Sequence, residues 1–313
     1  MLTPISWSIT LVNLLYFCTN LFTLKHHQMK KILSIILLIS FTSILAQKKS
    51  AYKIYKINGH KTSYKKLLKK AKKADVVFFG EEHNNPIAHW LELALTKDLY
   101  QKSGKPIILG AEMMETDNQK QVNDYLSDTL DYKAFKKDAR LWPNFKTDYK
   151  ALMDFAKKNK LPFIATNIPR RYASKVFHGG FKALDSLSDK EKSWIAPLPI
   201  KFDVKLSQYQ KMMKMMEGHG GENLPKAQAI KDATMAYNIA KNIKDNSIFI
   251  HYNGSFHSNV HQGIIWYLKR LKPDLNILTI DVETQENIKK LNPKHKQKAD
   301  FIIVTDKDFP KSY

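Results

Sequence analysis

Six short runs of apolar, β-branched and aromatic residues punctuate the chain: 74–80 (ADVVFFG), 106–112 (PIILGAE), 161–167 (LPFIATN), 247–253 (SIFIHYN), 276–282 (NILTIDV) and 301–305 (FIIVT). They are continuous rather than alternating, the pattern of parallel strands covered on both faces. Helical patterns lie between them at 86–100, 149–158, 224–244 and 260–271, with Pro86 suited to a first helical turn. This order predicts an α/β fold with a mainly parallel sheet flanked by helices. The stretch of about 170–244 carries no strand pattern and is expected to be an inserted helical subdomain. Residues 117–145 read as a second helical excursion.

The first 46 residues read as a leader outside the fold. Met29, Lys30 and Lys31 open a basic segment, 32–45 is apolar but too short to span a membrane comfortably, and Ala46 precedes polar residues. That is the plan of a secretory signal peptide, with Met29 as the expected start and 1–28 as translated leader. Ile44 is not small, so the cut can slip by a residue or two. A weak N-terminal membrane anchor is the other reading. The remaining domain, 47–313, is expected to be exported, periplasmic or envelope-associated.

Composition narrows the classes further. Of 313 residues 43% are hydrophobic, enough for a sizeable core. The net charge of +22 is nearly all lysine, since only Arg140, Arg170, Arg171 and Arg270 are arginines. Lysine spread over the whole chain reads as a solvated surface, and no nucleic-acid partner is expected. The single cysteine, Cys18, excludes a disulfide scaffold, a cysteine zinc site and an iron–sulfur centre.

In open α/β sheets ligands bind beyond the carboxyl ends of the strands. Polar residues gather there: Glu81 and His83 after the first run, Glu112 in the second, Asn167 and Arg170 after the third, His257 after the fourth. Gly80…His83 and Gly254…His257 share the form Gly-x-x-His. Two imidazoles and a carboxylate (His83, Glu112, His257) would suit a divalent transition metal, with Glu81 left to activate water. Each also has a plainer reading: His83 as a cap of the helix at Pro86, Glu112 as a partner of Arg170.

The segment 209–221 (YQKMMKMMEGHGG) packs four methionines between Tyr209 and His219. Tyr209, Met213 and Met216 fall on one helical face. Ordinary core packing explains such a face; so does an adaptable apolar wall for a flat ligand such as a porphyrin, with Tyr209 or His219 near the iron.

The stretches FFGEEHNNP (78–86), ILGAEMME (108–115) with Gln119, ATNIPRRY (165–172), GHGG (218–221), AQAIKDATMAYNIA (227–240) and NGSFHSNVHQGI (253–264) resemble, in order and spacing, the ChaN family of haem-binding uptake proteins. That family lies within the wider group of Tiki proteases and erythromycin esterases, whose shared mark is the paired Gly-x-x-His. The resemblance implies an α/β core with a helical subdomain, export to the envelope, a link to iron acquisition with envelope transport partners, and haem as cofactor. It also implies a homodimer that sandwiches two haems, with a tyrosine near the iron, for which Tyr209 is the candidate. No lipid-accepting cysteine follows the signal peptide. Haem binding is the leading expectation. A metal-dependent hydrolase using Glu81, His83, Glu112 and His257 is the alternative.

Overall fold

In the computed structural model, the run Val76–Glu81 is buried at every position. The residues described are 50–215 and 221–313, with 26–28 and 30–31. The leader and signal peptide fall almost wholly outside them, as do Cys18, Met216 and His219. Residues 1–50 form one unit and 51–313 another; in the first, 26–28 and 30–31 are helical and exposed. Among the described residues no helix is long and apolar enough to cross a membrane.

The second unit runs β1 (Tyr52–Lys56), β2 (Lys61–Thr62), α1 (Tyr64–Ala71), β3 (Val76–Glu81), α2 (Pro86–Lys102), β4 (Ile107–Glu115), α3 (Gln119–Leu126), α4 (Tyr132–Asp138), α5 (Lys150–Lys158) and β5 (Phe163–Asn167). It continues with α6 (Arg170–Gly179), α7 (Asp189–Lys192), α8 (Ser207–Met215), α9 (Asn223–Asn242), β6 (Ile248–Gly254), α10 (Ile264–Leu271), β7 (Ile277–Gln285) and β8 (Phe301–Asp306). One eight-stranded sheet has the order β2-β1-β8-β7-β3-β6-β4-β5. From β8 to β5 every pairing is parallel; β1 and β2 add an antiparallel edge. All six apolar runs are strands of an α/β sheet, and a helical subdomain is inserted between β5 and β6. The short edge strands β1 and β2 were not anticipated. They are rich in lysine and only half covered, so they lack the apolar signature of the central strands.

Both faces of the sheet are buried. Val77, Phe79, Leu109, Ala111, Ile250 and Tyr252 pack with α2 and α5 on one face. Their neighbours Val76, Phe78, Ile108 and Phe249 pack with α9 and α10 on the other. This is the period of two expected of a strand. The insertion has a core of its own, in which Tyr172, Val176 and Leu184 meet Ile230 of α9.

The last expected helix begins late. Val260 and His261 have φ of 50° and 54°, and Gly263 has φ 58°, so helical geometry starts only at Ile264. A β-branched residue in this region is strained. Val260 is held there by a hydrogen bond from its N–H to the Lys298 carbonyl, 2.6 Å.

Candidate functional site

Strand register decides what meets at the carboxyl edge. Glu81, the last residue of β3, lies opposite Gly254, the last of β6. β6 also pairs with β4 on its other side, with Ala111 opposite Tyr252. Alternation sends Glu81 to the α2 and α5 face and Glu112 to the α9 face. Glu81 ends β3 and Glu112 lies three residues before the end of β4, and each enters a different cluster.

On the α2 face, Asn85 caps α2, its side chain accepting from the N–H groups of Ile87 and Ala88 at 3.1 and 3.2 Å. His83 is therefore not the cap. Its Nδ1 lies 2.7 Å from Glu81 Oε1, which also accepts from the Tyr149 hydroxyl at 2.6 Å. Glu81 Oε2 faces His89 Nδ1 at 3.2 Å, and that nitrogen lies 3.2 Å from Glu92 Oε2. Burial alone would raise the Glu81 carboxyl, but His83, His89 and Glu92 outweigh it and hold it well below the usual range. Glu92, buried beside Glu81, is pushed well up.

On the α9 face, Glu112 Oε2 accepts the Gly254 N–H at 2.7 Å, and Oε1 lies 3.2 Å from His257 Nε2. His257 Nδ1 lies 2.5 Å from Asp232 Oδ1, and Asp232 Oδ2 accepts from Tyr209 at 3.1 Å. Burial opposes a charged imidazole, but Glu112 and Asp232 on either side raise His257 to about 10. Burial likewise opposes the Glu112 anion, but His257, His83 and the Gly254 N–H bring it down to about 2. His257 is thus an imidazolium clamped between two carboxyl groups.

Gly254 separates the two clusters. A Cβ there would lie 2.8 Å from His83 Cε1 and Nε2, and 3.5 Å from Glu112 Oε2. Glycine is required for close approach, since the ring of His83 lies directly over the backbone. Gly263 serves His257 in the same way: a Cβ there would meet the His257 carbonyl at 2.2 Å.

His83, Glu112 and His257 therefore gather around Gly254, and Asn167 stands beside them, donating to the Glu112 carbonyl at 3.0 Å. The three do not form the expected metal set. Among the described residues, the group whose ligand atoms lie within 4.8 Å of one another is Glu81, His89 and Glu92. His83 is turned to Glu81, and both nitrogens of His257 are taken by carboxylates. Arg170 is exposed and makes no pair with Glu112. Gln119 bonds the β5 backbone, accepting from Ala165 N at 2.7 Å and donating to Phe163 O at 3.0 Å.

Tyr209 is corrected as an iron ligand. It is 1% exposed, stacks on Phe202 and donates to Asp232. Burial and the neighbouring Asp232 push its phenol far up, away from the tyrosinate that iron needs. The methionines near it do not fill the core: Met212 and Met213 are half-buried and Met215 is exposed. Their helix is pinned to the loop that carries His257, since Gln262 Oε1 accepts from Ser207 Oγ at 3.1 Å and from Gln208 N at 3.0 Å.

Sequence reasoning missed His89, Glu92, Tyr149 and Asp232. His89 and Glu92 are the only titratable residues in the first eleven of α2 (PIAHWLELALT), a signal that was present. Asp232 lies on a mostly apolar face of α9, one turn from Gln228, whose amide nitrogen also lies 2.9 Å from His257 Nδ1, and has no comparable mark.

No curated protein matches the sequence. The structure resembles that titled "Cofacial heme binding to ChaN of Campylobacter jejuni", with TM-score 0.63 and 15% identity, covering 82% of this chain and 98% of that one. An erythromycin esterase mutant in its open conformation follows at TM-score 0.45 and 10% identity, covering 82% and 83% of the two chains. A Bacillus cereus protein gives TM-score 0.44 and 13% identity, covering 71% and 69%. The first shows a shared fold; nothing about this chain follows from the other two. Residues 67–268, well over half of the sequence, match the family described as haem-binding uptake, Tiki superfamily, ChaN. The strand-end clusters lie within that span apart from the strands that flank them, and the chain belongs to the ChaN family.

Proposed function

We propose that this protein binds haem at the carboxyl edge of its sheet and serves haem or iron uptake outside the cytoplasmic membrane. Family membership supports the ligand, and His83 carries the reading in this chain. Its Nδ1 is fixed by Glu81, its Nε2 makes no hydrogen bond among the described residues, and its side chain is 36% exposed. A carboxylate on one ring nitrogen orients the other toward a metal. The ring stands edge-on to half-buried Trp142, with centroids 4.9 Å apart.

A flat apolar ligand with two carboxylates calls for accessible apolar side chains and a cation. Phe256 and Met212 are half-buried, and Arg170 is an exposed cation that ends in no ion pair among the described residues. Bound haem would supply an iron(III) centre for His83 to ligate. Glu81 holds the His83 ring in place, and Tyr149 holds Glu81. Export of the domain and a haem-dependent pairing of two copies belong to the same proposal.

Hydrolysis by Glu81, His83, Glu112 and His257 is less well supported by the same geometry. Both nitrogens of His257 are engaged, by Glu112 and by Asp232, so it has no free lone pair for the metal that this reading asks it to hold.

A haem titration read by visible absorbance tests the proposal. The wild type should saturate, Tyr209→Phe should give the same spectrum, and His83→Ala should lose the ligand-dependent band. A native mass that doubles on haem addition would support pairing. Absence of saturable binding by the wild type overturns the proposal.

A further inference from the structure

The oxygens at Nε2 of the His89 ring cannot donate. Nε2 lies 3.1 Å from the His83 carbonyl and 3.6 Å from Asp148 Oδ2. Asp148 already accepts from Asn144 at 2.7 Å and from Ser312 at 2.8 Å. Nε2 must therefore carry the hydrogen, which leaves Nδ1 facing Glu81 Oε2 and Glu92 Oε2, each at 3.2 Å. Without a hydrogen, Nδ1 would turn a lone pair on both acids, so a positive charge belongs there. It is either a second proton, which burial opposes but Glu81 and Glu92 favour by raising His89 to about 11, or a cation in its place.

Two further atoms indicate how much is missing. Glu81 Oε2 and Glu92 Oε1 are buried and complete no hydrogen bond. Glu81, His89 and Glu92 are 2%, 7% and 1% exposed, so water does not satisfy them from outside. Buried polar atoms left without partners cost about 1–3 kcal/mol each, and a native core rarely keeps two together. The three side chains offer one ligand atom apiece within 4.8 Å of one another, a span that small movements close around one ion.

We propose that Glu81, His89 and Glu92 form a buried site for a first-row divalent transition cation, separate from the haem site and joined to it through Glu81. One imidazole and two carboxylates, without thiolate, suit zinc, manganese or iron(II). The charges balance: two carboxylates and a neutral imidazole take one dication, whereas the ion-free cluster must take up two protons to reach neutrality. Binding therefore releases protons. The hydrogen bond from His89 Nε2 to the His83 carbonyl is the outer support usual for a ligating histidine. Glu81 would present one oxygen to the cation and the other to His83.

The test uses the full chain, free of haem and stripped with chelator. Zinc binding is followed by calorimetry and cobalt(II) by its visible bands. The wild type should take one equivalent of zinc, gain melting temperature and lose that gain on adding chelator. Glu92→Gln, which keeps the shape, should bind at least about a hundredfold more weakly, since even losing an outer-shell partner costs 10–100-fold. Circular dichroism checks that the variant is folded, and Glu92→Ala provides a second variant. Haem titrations on the same samples keep the two sites apart: Glu92→Gln should lose zinc and retain haem, His83→Ala the reverse. Equal zinc uptake by wild type and Glu92→Gln overturns the site and leaves shared protons to hold the cluster. Loss of haem binding alone overturns only the haem reading.

Discussion

The two faces of the carboxyl edge meet the same problem, a buried glutamate carried by a strand, in different ways. On the α9 face the solution is complete: Glu112, His257, Asp232 and Tyr209 form a continuous chain in which His257 supplies the positive charge. On the α2 face His89 stands between Glu81 and Glu92, and two carboxylate oxygens remain without partners. A finished polar network fixes structure, and an unfinished one is where a ligand is accommodated. The difference follows from which helix each glutamate meets. α9 brings one acid, Asp232, to a histidine held in the loop after β6, whereas α2 brings both the acid, Glu92, and the histidine, and His83 adds a second imidazole to Glu81.

The largest expected effect comes from breaking the finished side. His257→Ala strands two buried carboxyl groups, and urea denaturation should show a loss of about 3–5 kcal/mol. A loss below about 1 kcal/mol would mean that the chain is less tightly coupled than its distances suggest.

Acid should expose the same coupling. Glu112 is lowered from 4.5 to about 2, so its stabilisation is present above about pH 4.5 and is lost as pH falls through 2. That is of the order of 2–3 kcal/mol for a fully buried group. His257 is raised from 6.5 to about 10, so its contribution is present below pH 6.5 and fades as pH rises through 10. Denaturation midpoints should be highest between about pH 4.5 and 6.5 on account of this pair. Glu112→Gln, which keeps the bond from Gly254, should flatten the acid limb relative to wild type; parallel limbs would remove Glu112 as its source.

Gly254→Ala acts on the boundary between the faces. The new methyl collides with the His83 ring at 2.8 Å, and overpacking of this kind costs about 1–3 kcal/mol. Displaced from Glu81, His83 should lose its haem band while the secondary structure is unchanged.

The smallest effect belongs to Glu92→Gln in the ion-free protein. Burial beside Glu81 pushes the Glu92 carboxyl toward its neutral form, which the amide matches in charge and shape, and stability should shift by less than about 1 kcal/mol. A loss comparable to that of His257→Ala would erase the contrast between the faces.

The sequence made some of this legible. Continuous apolar runs identified every parallel strand because burial on both faces leaves no polar alternation to blur them. Strand ends then located Glu81, His83, Glu112 and His257. What stayed hidden depends on neighbours remote in sequence. Tyr209 lies on the expected helical face, but spacing cannot show that Asp232 covers its hydroxyl. His89 and Glu92 look like ordinary helix positions until Glu81 arrives beside them. The left-handed turn at Val260 and His261 goes against local preference and is enforced by contacts such as that to Lys298.

The borders of the sheet bear on whether the protein stays a separate particle. β8 is buried along Phe301–Thr305, and left open its ladder would be a template for a strand from another molecule. β1 occupies it antiparallel, and β2 ends the series after two residues with Lys61 exposed. At the opposite border one side chain does a strand's duty, since Gln119 takes both a donor and an acceptor of β5. Growth is thus stopped at one end by a hairpin and at the other by a carboxamide. Proteolytic loss of 51–62, or Gln119→Leu, would therefore register first as self-association under dilute conditions, while the clusters beside Gly254, several strands inward from the hairpin, keep their geometry.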